Sequence, residues 1–141
     1  MNLTRLTKQL EIDEGRRRRI YLDNANPPRW TGGVGRNLSD RGFSDDEIDL
    51  MLSNDIDEAV RIAKGLVPAY DQLDDVRQEV VCNMAFNLGI VRLGGFKRFL
   101  AAVNRHDYQS AAIEMQDSAW YTQVGDRAKR LVQAMREGKF P

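Results

Sequence analysis

The sequence has one cysteine, Cys82, and one histidine, His106. A lone cysteine excludes an internal disulfide framework. One Cys and one His far apart give no local support to a cysteine–histidine nucleophile or a zinc cluster. Cys82 sits in the apolar run EVVCNMAF and reads as a buried, inert thiol. His106 lies between Arg105 and Asp107 at a helix boundary and reads as a solvated turn or cap. Net charge is also missing: 21 Lys and Arg balance 21 Asp and Glu, so the basic excess of a dedicated nucleic-acid binder is absent. No run approaches the ~20 apolar residues of a membrane span. The start, MNLTRLTKQLEIDE, has no apolar core of signal-peptide length, so the expectation is a soluble product made in the cytoplasm without an export signal. The glycines of GGVGRNL do not complete G-x-G-x-x-G, because Leu38 stands where the last glycine belongs; a dinucleotide site is not supported. There is no internal repeat and no low-complexity tract.

What is present suits one domain with a core of reasonable size: 141 residues, 42% hydrophobic and 30% charged. Leu3, Leu6 and Leu10 fall at helical spacing, with Gly15 as a stop. From 17 to 23 the period changes to that of a strand, with Ile20 and Leu22 on one face and Tyr21 and Asp23 on the other. DNANPP is turn chemistry, RWTGGVG reads as a second short strand, and SDRGFS as another turn. Ser44 and Glu47 form a capping box that opens a long helix. Ile48, Leu52, Ile56, Ala59, Ala63 and Leu66 continue its apolar stripe until Pro68. Further helical patterns run over about 72–88, 95–105, 107–118 and 126–137, with Gly89 and Gly138 as stops. The expected architecture is a small region of strands, a long connecting helix and a helical bundle.

Two acids stand out. Glu14 falls in the last turn of the first helix, where the dipole disfavours an anion. Such a local inconsistency is expected at functional sites, and it favours the protonated form a general acid needs. On local grounds Asp23, beside Asn24, reads as a turn residue, and Arg16–Arg19 as a solvated charged face rather than a phosphate site. Local reasoning stops at this pair of carboxylates.

The spacing of the whole set goes further. The stretch IDEG…IYLD…WTGGVG resembles the catalytic segment of the phage-type lysozymes, the endolysins related to the lysozymes of large tailed phages. In that family D-E-G closes the first helix, I-Y-x-D follows, and T-x-G-x-G comes next; the matching positions are Glu14, Asp23, Thr31, Gly33 and Gly35. SNDIDEAV is similar to the family's inter-lobe helix, VCNMAFNLG to the helix beneath its cleft, and GGFKRFL to the next helix. SAWYTQVGDRAKRL is similar to its W-Y-x-Q…R-A-x-R segment.

The resemblance implies an α+β, mainly helical fold in a single domain over 1–141. The small lobe and connecting helix would span 14–65, and 1–13 and 66–141 would form the helical lobe. It implies an N-acetylmuramidase that hydrolyses the β-1,4 bond between N-acetylmuramic acid and N-acetylglucosamine, with the glycan strand of peptidoglycan in the cleft between the lobes. Glu14 would be the general acid, Asp23 and Thr31 would hold the attacking water, and Arg127 would orient the acid. Phe86, Asn87, Gln123 and Gly35 would contact substrate. No metal or organic cofactor is implied. The expected context is a monomeric phage or prophage endolysin that reaches the wall from the host cytoplasm once a separately encoded holin-type partner has permeabilised the membrane. A lytic transglycosylase and a non-enzymatic, glycan-binding phage structural module are the alternatives; Glu14, Asp23 and Thr31 together count against both. Three departures accompany the match. The hairpin before Thr31 is longer and holds Pro27 and Pro28, the stretch between Gly35 and the long helix is shorter, and Arg36 stands where the family often has histidine. Asp55 aligns with that histidine's partner, so an Arg36–Asp55 ion pair is expected.

Overall fold

Asn2 starts the first helix, its side chain accepting a hydrogen bond from the Arg5 amide at 2.9 Å. The computed structural model describes all 141 residues. It holds eight α-helices and one three-stranded antiparallel sheet, the mainly helical α+β class expected. The chain divides into two compact units, Met1–Leu50 and Met51–Pro141. No helix is long and apolar enough to cross a membrane.

In the first unit, α1 (Leu3–Glu14) ends where Gly15 takes φ +74°, as the sequence indicates. Strands β1 (Arg17–Leu22), β2 (Trp30–Gly33) and β3 (Arg36–Asn37) pair in chain order. The register sets Tyr21 opposite Thr31, Leu22 opposite Trp30, and Gly32 opposite Arg36, with an irregularity between Arg17 and Tyr21. Gly32 lets Ile20 and Leu38 close over the sheet; a Cβ there would lie 3.3 Å from each. The segment read as a turn after Gly35 holds more structure than that. Besides β3 there is a single helical turn, α2 (Leu38–Arg41), because Asn37 caps it by accepting from the Asp40 amide at 3.1 Å.

Helix α3 (Asp45–Leu66) opens with the reciprocal capping box that its spacing announces. The Glu47 amide donates to Ser44 Oγ at 3.3 Å, and the Ser44 amide donates to Glu47 Oε2 at 2.8 Å. Along the stripe read from the sequence, Ala59 and Ala63 are buried, while Ile48, Leu52 and Ile56 stay nearly half exposed.

The second unit packs α4 (Asp75–Gly94), α5 (Lys97–Asn104), α6 (Tyr108–Gln116), α7 (Ala119–Val124) and α8 (Asp126–Glu137) around one core. Gly89 is not the stop its identity suggests. It takes φ 73°, ψ 174°, breaks the ladder and lets the helix resume to Gly94, so it is a kink. Helix α7 has no counterpart among the sequence patterns. Ser118 caps it and Gly125, at φ +66°, ends it after barely two turns, too short to show a period. Cys82 is half-buried rather than buried, and its sulfur lies 3.0 Å from the Tyr70 hydroxyl. Burial, helped by that thiol, pushes the Tyr70 phenol above its usual range. Phe99, Met84, Leu93, Met115 and Met135 are the largest fully buried side chains. Phe99 is 1% exposed, so Phe99→Ala should cost about 3–5 kcal/mol in chemical denaturation. A loss under about 1 kcal/mol would show that this core is not the one that holds the unit together.

Candidate active site

Glu14 is the last residue of α1, and its side chain turns toward the turn between β2 and β3. The closeness is measured at Gly35: a Cβ there would lie 2.6 Å from Glu14 Oε2, 2.9 Å from Cδ and 3.0 Å from Cβ. Gly35 also takes φ +65°, so position 35 is glycine for two independent reasons. The carboxyl faces a pocket of about 420 Å³ whose walls include Leu10, Glu11, Arg16, Val34 and Gly35. Within the unit it accepts no hydrogen bond. Arg16 is occupied with Glu11 at 2.9 Å rather than with Glu14.

Asp23 and Thr31 are joined through one peptide, that of Arg29. Asp23 Oδ1 accepts from the Arg29 amide at 2.9 Å and from the Ala25 amide at 3.0 Å. The Asp23 amide donates to the Arg29 carbonyl at 3.0 Å. Thr31 Oγ1 donates to the same carbonyl at 3.2 Å, and Thr31 is 5% exposed, the one buried polar residue in the chain. Asp23 therefore closes its own hairpin loop, and the longer loop with Pro27 and Pro28 leaves Thr31 in register with Tyr21. Two acceptors remain. Asp23 Oδ2 has no protein donor, and the Thr31 oxygen keeps lone pairs after its hydrogen has gone to Arg29.

The second unit gathers Phe86 and Arg127 at a pocket of about 330 Å³, with Leu52, Ile56 and Asn83 among its walls. Arg127 donates to the Asn83 side chain from Nε at 2.8 Å and to the Asn83 carbonyl from Nη2 at 3.3 Å. Sequence reasoning misses Asn83; its signal is its place one helical turn before Asn87 on α4. Asn87 Oδ1 accepts from the Trp120 indole at 2.9 Å, so only its amide nitrogen is free. Gln123 is exposed on α7, and its side chain makes no hydrogen bond within the chain.

No protein-family model matches the chain. Individual proteins do. It is 24% identical over 129 residues to probable T4-type lysozyme 1 of Dictyostelium discoideum, covering 92% of this chain and 70% of that one. With probable T4-type lysozyme 2 of the same organism the identity is 23% over 163 residues, 94% of each chain. The chain is a relative of the phage-type lysozymes. A third match, 24% over 163 residues, is to the pre-baseplate central spike protein Gp5 of Enterobacteria phage T4; it covers 96% of this chain and 28% of that protein. The last two comparisons span more positions than this lysozyme relative has residues, so both relatives carry segments that it lacks.

The expected Arg36–Asp55 pair is replaced. The Arg36 guanidinium bonds the carboxylate of Glu47, two helical turns earlier on α3, and also reaches the Gly42 carbonyl at 3.4 Å. The reason is local: the capping box already folds Glu47 back over the helix start, toward the end of β3. The Arg36 guanidinium first, and the Ser44 amide second, hold the Glu47 carboxyl at about 2, from an ordinary 4.5, while partial desolvation opposes them. A depressed carboxylate stabilises the fold above its unfolded value, and that stability is lost as pH falls through the folded one. Thermal midpoints of the wild type and Glu47→Gln should therefore differ by a constant amount between about pH 5 and pH 8 and converge from about pH 4.5 toward pH 2. A gap that stays constant down to the lowest pH would mean that Glu47 gains nothing from its charge.

Proposed function

We propose that the chain is a glycoside hydrolase of lysozyme type. It cleaves the β-1,4 bond between N-acetylmuramic acid and N-acetylglucosamine in peptidoglycan, with inversion. The observation that carries this reading is the pair of free acceptors on Asp23 and Thr31, both anchored to the Arg29 peptide, in the same unit as a carboxyl at a helix C-terminus.

Glu14 gives its proton to the leaving glycosidic oxygen as the bond to the anomeric carbon breaks. A water donates one hydrogen to Asp23 Oδ2 and the other to Thr31 Oγ1, which turns its lone pair outward to the anomeric carbon. Thr31 acts as an acceptor because its own hydrogen is committed to the Arg29 carbonyl. Asp23 takes the proton that the water loses. An inverting pair of this kind needs roughly 6.5–9.5 Å between carboxyls to admit the water. Arg127 is assigned to orienting Glu14. Phe86 offers an apolar surface to a sugar ring, Asn87 a free N–H donor, and Gln123 an unengaged amide. No cofactor takes part. The proposed setting is a monomeric endolysin acting in host lysis from the cytoplasm, after a holin-type partner has opened the membrane.

The match to a phage central spike protein supports a second reading, a glycan-binding module of a phage particle that does not cleave. Glu14→Gln separates the two. It keeps the side chain's shape but has no proton to give, so clearing of permeabilised cells should fall ~10²–10⁴-fold with the thermal midpoint unchanged. Near wild-type clearing by Glu14→Gln would remove the acid assignment, and no clearing by either protein would favour the binding module.

The products decide the mechanism. A transglycosylase closes the muramyl 6-hydroxyl onto its own anomeric carbon and needs no held water. Purified peptidoglycan should instead yield fragments with free reducing ends, released first as the α-anomer. Mass spectrometry without borohydride treatment, together with early NMR of the anomeric proton, reads both. Anhydro fragments, lighter by one water, would overturn hydrolysis; initial β-anomer would make Asp23 a nucleophile in a retaining reaction.

A further inference from the structure

Glu14 is steadied in its own unit by packing alone, and what it packs against is a turn built on two glycines. Gly33 and Gly35 both have positive φ, 62° and 65°, a conformation that glycine adopts without steric cost. Their turn carries Gly35, where an added Cβ would lie 2.6 Å from Glu14 Oε2, 2.9 Å from Cδ and 3.0 Å from Cβ. On the sheet side it is tied by the pairing of Gly33 with Arg17 of β1 and by a two-pair ladder between β2 and β3, Thr31 with Asn37 and Gly32 with Arg36. Toward α3 the tie is the Arg36 side chain.

That tie is well anchored. Arg36 bonds the Glu47 carboxylate and the Gly42 carbonyl. Glu47 is itself held in the capping box and sits in the first turn of α3, where an anion is favoured. Neither Arg36 nor Glu47 lines the pocket that Glu14 faces. We propose that the Arg36–Glu47 ion pair is a positioning clamp: it fixes the turn from Gly33 to Arg36 against α3 and thereby holds the Glu14 carboxyl at the angle its proton transfer needs. This rests on Glu14 being the general acid. Arg36 and Glu47 are positioning residues and touch neither the acid nor the sugar.

The clamp predicts a particular kinetic signature. Of the proposed substrate contacts only Gly35 belongs to the clamped turn, and it offers backbone alone, so KM stays within about twofold, while a misplaced acid lowers kcat by roughly 10–100-fold. Arg36→Met and Glu47→Gln remove the pair from opposite ends. The amide introduced by Glu47→Gln keeps an oxygen for the Ser44 N–H, so at least that variant retains the helix cap. Arg36→Lys keeps the charge and should recover most of kcat. Each protein is assayed on soluble peptidoglycan oligosaccharides, with thermal unfolding and amide hydrogen exchange at Gly33–Arg36 measured alongside. The expected result is a fall in kcat at unchanged KM in fully folded protein, with faster exchange confined to that turn. Faster exchange with an unchanged kcat overturns the clamp, as does a loss that only tracks the unfolded fraction. If the wild type cleaves, Glu14→Gln does not, and Arg36→Met equals the wild type, the clamp alone fails. If the wild type and Glu14→Gln release equally little product, the acid assignment fails and takes this inference with it.

Discussion

The approach of the Gly35 backbone to the Glu14 carboxyl is the constraint around which the first unit is arranged. It requires a helix that stops at Glu14, so Gly15 takes a positive φ and turns the chain into β1. It requires a position without a side chain, which makes Gly35 glycine on steric grounds as well as conformational ones. And the glycine turn is framed by the pairing of Gly33 with Arg17, by the short β2–β3 ladder and by the bond from Arg36 to Glu47. Three separate sequence features, the end of α1, the glycine pattern and the arginine that follows it, serve one atomic contact.

Asp23, Arg29 and Thr31 follow a different logic. Here the backbone is the template: one peptide group receives or gives the bonds that orient both side chains, so a movement of the hairpin shifts both together. The aspartate gives one oxygen to structure and keeps the other; the threonine gives its hydrogen and keeps its lone pairs. Each residue is half spent on the fold, and the unspent halves are of the same kind, acceptors, which suits a ligand with two hydrogens to give.

Much of this is legible in the residues because neighbours in the chain set it. The capping box at Ser44 and Glu47 and the glycine stops at Gly15 and Gly138 rest on contacts a few positions apart, and the strands around Tyr21 and Trp30 on the residue pattern within each strand. What escapes needs either a very short element or a partner distant in sequence. Helix α2 is a single turn hidden in turn-like residues, and α7 is too brief to show a period. Gly89 looks like an end because a glycine's identity does not say whether the helix resumes. The family pattern points Arg36 to Asp55, but it bonds Glu47, an acid that its own cap has already folded toward it. Asn83 escapes because nothing local ties an asparagine on α4 to an arginine on α8. For the candidate residues, then, the elements that carry them are legible, whereas the hydrogen-bond partners that orient their side chains are not.

The self-closed loop between Asp23 and Arg29 has a structural corollary. Because the amide and carboxylate of Asp23 lock onto Arg29 at the loop's neck, the segment from Asn24 to Pro28 is insulated from the strands beneath it. Asn24, Asn26, Pro27 and Pro28 are all exposed. The closure at its neck leaves Thr31 in register with Tyr21 whatever the tip carries. The tip is thereby a place where a change of length need not reach the sheet.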